Sequence, residues 1–292
     1  MIRTVCSSYY HRIDRRSSGV PPTTVGHLSV TTECLGQLQS VYGLRRLRIL
    51  LAFDKDDEDG AAAATSSPAS SSTSTDEIMN ELIPQKKKDL KSKFEGLRVL
   101  DLSNTARITA VPVGIGELEH LRYLGCLSND VTKLLPLQTL SVIFSSDDVR
   151  LPKDMRRLIN LRHLDMGKEE YIALIAQIAG IGSMRMLQDS VEFHARRTEQ
   201  GHDMRELGGL NSLRRKLTIK CLDKVESRKE AESACLGAKV HLKTLELEWG
   251  QRSDSAARGS AQSDLEVLQG LRPHPNLEDL KIQNYVGINS PS

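Results

Sequence analysis

Four segments of this chain carry one spacing of leucines: LRVLDL from Leu97, LRYLGC from Leu121, LQTLSV from Leu137 and LRHLDM from Leu161. Each reads L-x-x-L-x-L with conservative swaps, and the starts are separated by 24, 16 and 24 residues. A unit this short cannot bury an apolar face alone. It constrains the chain to stack unit on unit and to close one continuous core between neighbours. The second and third apolar positions alternate as in a strand, which sends them into the core and turns the intervening residues outward. Between strands the chain must return along the opposite face. ITAVPVGIGELEH supplies a proline turn, a glycine-bounded bend, and Ile115 and Leu118 to cover the core. Val149, Leu151, Pro152, Met155 and Leu158 do the same before LRHLDM, and the short step of 16 implies a deletion between Val131 and Leu137.

The series continues at wider spacing through MRML at Met184, RRKLTI at Arg214, LKTLEL at Leu242 and LEDLKI at Leu277, and HLSV at His27 and LRILLAF at Leu47 precede it. About ten strand-like turns result, with steps mostly inside the range of leucine-rich repeats. The predicted fold class is α/β: a leucine-rich-repeat solenoid with a curved parallel sheet on its concave face and short helices and loops on its convex face. Residues 1–20 are expected to be a poorly ordered N-terminal segment and 21–53 the opening repeats. DKDDEDGAAAATSSPASSSTST over 54–75 has almost nothing to bury and is predicted to be a disordered insertion. The solenoid is expected to run over 76–292, with a mobile loop at about 250–263 and an uncapped C-terminus. Helical spacing is predicted for DEIMNELIP from Asp76, for Val225 to Ala238 through Ala231 and Ala234, and for Ser263 to Leu271.

Composition removes several function classes. Forty basic against 38 acidic residues leave a formal charge of +2, no global field for nucleic acid or an anionic membrane. Aromatic content of 4% is low for a platform that stacks single strands. The five cysteines are odd in number and form no C-x-x-C pair, which suits a reducing compartment. The N-terminus lacks a secretory apolar core, no run approaches transmembrane length, and no N-x-[ST] sequon occurs. The expected location is cytoplasmic, with nuclear access possible through Lys86, Lys87, Lys88, Lys91 and Lys93; a solvated helix face or linker is the simpler reading of that cluster.

The run from LRVLDLSNTARITAVPVGIGELEHLRYLGC to LPKDMRRLINLRHLDM, with MRELGGLNSLRRKLTI, AESACLGAKVHLKTLELEW and VLQGLRPHPNLEDLKIQNYVG, resembles the repeat region of plant coiled-coil-type nucleotide-binding leucine-rich-repeat (NLR) disease-resistance proteins. The likeness covers roughly residues 20 to 287. PPTTVGHLSV looks like the segment by which that family enters its repeats, with Gly26 where a basic residue is usual. No G-x-x-x-x-G-K-[ST] occurs, so the loop that cradles nucleotide phosphates is absent and the resemblance is to the repeats lacking the nucleotide-binding domain. The resemblance implies a protein-binding module of a plant innate immune receptor. It would recognise a pathogen effector or a guarded host protein, and in a full receptor it would restrain the nucleotide switch. A standalone cytosolic scaffold in another signalling complex is the alternative.

The candidate protein-binding residues lie on the concave face. The first outward column contains Arg98, Arg122, Arg162 and Arg185, and the middle column contains Tyr123, Thr139, His163, Met186, Lys216 and Thr244. Variable side chains on a rigid sheet suit partner choice, and Tyr123, His163 and Met186 offer anchoring area. The bland reading is a solvated ladder, in which exposed pairs contribute little. No catalytic residue and no metal or cofactor ligand set is found: His163 with Asp165 has no third ligand, and no nucleophile elbow or H-E-x-x-H helix exists. Trp249, ending LELEW, is expected in the core or at its rim. The chain is therefore predicted to be no enzyme, to need no cofactor, and to take proteins as partners, with no nucleic acid and no membrane span.

Overall fold

The computed structural model describes residues 9–14, 20–32, 34, 44–53, 94–104, 115–127, 129–142, 150–195, 202–251 and 254–287. The chain divides into two compact units, Met1–Ser145 and Ser146–Ser292.

In the first unit six strands lie side by side in chain order: β1 (Tyr10–Ile13), β2 (His27–Thr31), β3 (Ile49–Phe53), β4 (Val99–Asn104), β5 (Tyr123–Gly125) and β6 (Thr139–Ser141). Every pairing is parallel, so that Tyr10, His27, Ile49, Val99, Tyr123 and Thr139 form one row; between β3 and β4 the register shifts after Leu51, so that Phe53 faces Asn104. Each strand is introduced by a tight turn that the leucine spacing writes. Leu97 N–H donates to Phe94 O at 2.9 Å, Leu121 to Leu118 at 3.0 Å and Leu137 to Leu134 at 2.9 Å. Both apolar ends of each turn enter the core, followed by the inward strand residues Leu100, Leu124 and Leu140. Each such leucine contributes about 1.5–3 kcal/mol on burial. The short repeat keeps this logic by replacing its return segment with one 3-10 turn, Asn129–Lys133, whose Val131 is fully buried.

The second unit holds β7 (His163–Asp165) and a four-stranded parallel sheet of β8 (Val191–His194), β9 (Lys216–Lys220), β10 (Thr244–Glu248) and β11 (Asp279–Gln283). Its return segments are short 3-10 turns and three α-helices, α1 (Met204–Gly208), α2 (Arg228–Glu232) and α3 (Asp254–Gly270). Asp203 caps α1 by accepting from Arg205 N–H at 2.9 Å, and Ser227 caps α2 by accepting from Glu230 N–H at 3.2 Å. Ala231 and Ala234 are buried, as their spacing predicts. Fold class and architecture match the α/β leucine-rich-repeat solenoid.

Three expectations change. Residues 9–14 fall inside the segment expected to be poorly ordered, yet they include β1, because YHRI alternates well enough to pair with β2 and bury Ile13. The loop expected at about 250–263 is largely α3, which begins at Asp254; Ala261, Asp264, Val267 and Leu271 recur every three or four residues and bury one face of it. MRML is a turn and no strand: Leu187 N–H donates to Met184 O at 3.0 Å and both side chains are buried, as at Leu118 and Leu121. The strand of that repeat, β8, starts at Val191. The insertion over 54–75 and the helix from Asp76 lie outside the described residues.

One core position breaks the pattern. Lys239 occupies the site held elsewhere by Leu118, Leu134, Leu158 and Met184, three residues before the strand leucine, and only 1% of it is exposed. Its Nζ donates to Leu207 O at 2.5 Å, to Leu210 O at 3.3 Å and to Asn211 Oδ1 at 3.4 Å, tying its turn to the carbonyls at the end of α1. Burial pulls its pKa from 10.5 down to about 8. Between those values the unfolded chain holds the proton more tightly than the folded one, so folding gains stability as pH rises. Urea unfolding of the wild type and Lys239→Met should show the difference in stability moving in favour of the wild type from about pH 8 towards 10.5. A difference that stays level across that window would contradict the assignment.

Close backbone contact also fixes glycines. A Cβ on Gly182 would meet the Glu206 carbonyl oxygen and lie 2.8 Å from Glu206 Cα, where neither backbone can yield. Gly182→Ala is expected to cost about 1–3 kcal/mol in thermal or urea unfolding.

Candidate protein-binding face

The outward face of each sheet is set by backbone register. In the first unit the row Tyr10, His27, Ile49, Val99, Tyr123 and Thr139 has beside it a second row of Arg12, Ser29, Leu51, Asp101 and Gly125. Tyr10 packs edge-on to His27 with ring centroids 4.4 Å apart, and Tyr9 reaches the same imidazole at 4.8 Å. Tyr9 lies over Gly26, where any side chain would strike its ring. That contact accounts for the glycine at a position where the resemblance implies a basic residue. Asp101 is engaged locally, accepting from Ser103 N–H at 3.0 Å, from Ser103 Oγ at 2.5 Å and from Tyr123 OH at 3.4 Å.

The second unit presents different chemistry. Glu192, Thr218, Glu246 and Lys281 share one row, and His194, Lys220, Glu248 and Gln283 the next. Glu192 is held by His194 Nε2 at 2.7 Å and Lys220 Nζ at 3.0 Å, and Glu246 by Lys216 Nζ at 2.9 Å and Lys281 Nζ at 3.6 Å. Thr218 Oγ1 adds a bond to Glu246 at 3.3 Å. Partial burial works against ionising both glutamates. The hydrogen bonds and positive charges around them outweigh it, so both carboxyls sit below the ordinary glutamate range. Asp189 accepts from Leu164 N–H at 2.9 Å and faces His163 Nδ1 at 3.3 Å.

Most of the candidate residues reach the outward face. Arg98, Arg122, Tyr123 and Thr139 do so in the first unit, and Arg162, His163, Lys216 and Thr244 in the second. Arg185 and Met186 do not. They lie in the turn between Met184 and Leu187, exposed but off the sheet, because those two buried residues take the inward positions. Gln188 fills the expected place of Arg185, with Gln188 N–H donating to Arg162 O at 2.9 Å. The columns also miss Tyr10, whose YYHRI alternation was the available signal, and Glu192, which becomes visible only once β8 is placed at Val191.

Among the described residues no group of three or more His, Cys, Asp or Glu is placed to hold a metal ion, and no helix is long and apolar enough to cross a membrane. Trp249 is a core residue, 1% exposed.

The fold defines a leucine-rich-repeat module. Residues 204–292 match the family described as R13L1/DRL21 LRRs. RGA1 of Solanum bulbocastanum, named as a disease resistance protein, is 33% identical over 216 residues, covering 72% of this chain and 21% of that protein. Disease resistance protein RGA2 of the same plant is 34% identical over 110 residues, 38% of this chain and 11% of that one. An Arabidopsis thaliana protein also named for disease resistance is 31% identical over 299 residues, 98% of this chain and 20% of that one. The chain is a leucine-rich-repeat region related to plant disease-resistance proteins of the NLR type, and it spans about a fifth of the length of the first of these, 21%.

The charge ladder makes a measurable prediction. A carboxyl held below its ordinary range stabilises the fold above about pH 4.5 and loses that effect as pH falls through its folded value. Glu246→Gln should therefore be less stable than the wild type at neutral pH, with the gap closing in acid. Urea unfolding at several pH values checks this; a gap that persists unchanged at low pH contradicts it.

Proposed function

We propose that the outward strand face binds proteins, and that the chain is the recognition module of a plant innate immune receptor. It reads a pathogen effector or a guarded host protein, and in a full receptor it restrains the nucleotide-binding switch. The observation that carries this reading is the register itself. It lines up outward side chains of differing chemistry on backbone that the core holds fixed, so their identity can change without disturbing the fold. The names of its relatives, all tied to disease resistance, supply the biological setting. The cytoplasm is the proposed location, with nuclear access a further proposal, and neither nucleic acid nor a cofactor has a part.

Tagged chain expressed in challenged and unchallenged leaf tissue, then crosslinked and recovered, tests the reading against a variant carrying Tyr123→Ser, His163→Ser and Lys216→Ser. A protein recovered with the wild type and lost with the variant is the expected result. Recovery of none in either state, or equal recovery by the variant, would overturn it.

A further inference from the structure

We infer that the open face of the first unit alone is the docking surface, and that it takes a protein segment whose apolar side chains are flanked by carboxylates. This rests on the protein-binding reading above and narrows it. The observation is the contrast between two faces built by one repeat. In the second unit the outward rows are occupied by polar and charged groups that already satisfy one another, with Glu192 bonded to Lys220 and His194 and Glu246 to Lys216 and Lys281. Covering such pairs means stripping water from charges whose attraction is already spent on each other.

In the first unit the row from Tyr10 to Tyr123 is largely aromatic and aliphatic, and Leu51 stands in the row beside it. Tyr10 is 56% exposed and Leu51 37%, with Ile49, Val99 and Tyr123 half-buried beside them. Covering these side chains is favourable by about 25 cal/mol per Å² of apolar surface. Tyrosine and arginine together are also the composition of interface hot spots.

Charge specifies the partner further. Arg48, Arg98 and Arg122 line one margin of this face, since Arg98 N–H donates to Arg48 O and Arg122 N–H to Arg98 O, both at 2.8 Å. Arg12 stands over Phe53 at 4.9 Å from the ring centroid. The acids of this face are taken up locally, Asp101 by Ser103 and Tyr123 and Asp14 by Arg12 at 3.1 Å. Guanidinium groups beside apolar area suit carboxylates that bind in a bidentate manner. A nucleic acid fits less well: Ile49, Leu51 and Val99 interrupt the aromatic row and give bases nothing to stack on.

A random peptide library displayed on phage and panned on the full chain supplies the probe. Enriched peptides are then synthesised and titrated by fluorescence anisotropy. We expect sequences that combine Leu, Phe or Trp with Asp or Glu. Affinity should fall at least about tenfold for Tyr10→Ser and for Arg98→Glu, be kept by Tyr10→Phe, and be unchanged by the double variant Lys220→Ser, Lys281→Ser. Circular dichroism confirms that each variant folds. Enrichment of basic peptides, or displacement of the bound peptide by oligothymidylate, would overturn the inference. Binding that is lost in the lysine double variant and kept in the Tyr10 and Arg98 variants would overturn it too, while leaving a protein-binding face intact. No enrichment at all would count against both.

Discussion

The structure depends on a hydrogen bond made at the mouth of each strand. The residue after the turn leucine donates its N–H to the carbonyl of its counterpart one repeat earlier: Arg48 to Gly26, Arg98 to Arg48, Arg122 to Arg98 and Gln138 to Arg122, at 2.7 to 2.8 Å. The second unit repeats this with Gln188 to Arg162, Arg214 to Gln188 and Glu278 to Lys243, at 2.9 to 3.0 Å. Because the bond joins equivalent residues, it sets register without reference to any side chain. The inward leucines are then superposed, each covering the previous one, and a repeat shortened to 16 residues is tolerated because only the return segment is trimmed. Slippage by one residue would turn every leucine outward.

Register also explains why the face divides chemically. Outward positions contribute little to the core, so they are free to be spent in either of two ways. Where neighbouring strands place glutamate against lysine, as at Glu246 with Lys216 and Lys281, the face saturates itself and gains a modest, pH-dependent stabilisation. Where they place tyrosine, isoleucine and valine in line, the apolar surface stays half-covered.

Much of the fold was legible from leucine spacing alone. Strands β2 to β7 and β9 to β11 begin at or within two residues of the segments the spacing marks. What was not legible has physical causes. MRML carries the same apolar signal as a strand entrance, and only the three residues between Leu187 and Val191, one more than after Leu121, shift the true strand onward. Helix α3 was obscured because Ala, Ser, Gln and Asp also make loops, and it takes α2 beside it to turn that composition into a packed helix; a Cβ at Gly270 would meet Ala231 Cβ at 2.8 Å. β1 lies within the segment expected to be poorly ordered, and Arg12 and Asp14 pair with each other there at 3.1 Å. For the candidate face, column membership was readable where the strands were placed correctly. Glu192 acquires its meaning only once β8 is set at Val191, beside Lys220.

Lys239 shows how the two kinds of position can exchange roles. It stands in a column of buried leucines, where an ammonium would ordinarily be expelled or neutralised. It persists because the lysine stem is long enough to fill the leucine's space and still bring Nζ to the carbonyls of Leu207 and Leu210, the first of which also accepts from Leu210 N–H at 3.0 Å. A leucine there would pack as well but give up both bonds. The substitution thus sets the desolvation of one cation against two hydrogen bonds to the preceding repeat. That makes this inter-repeat contact directional and dependent on pH, where its neighbours are merely apolar.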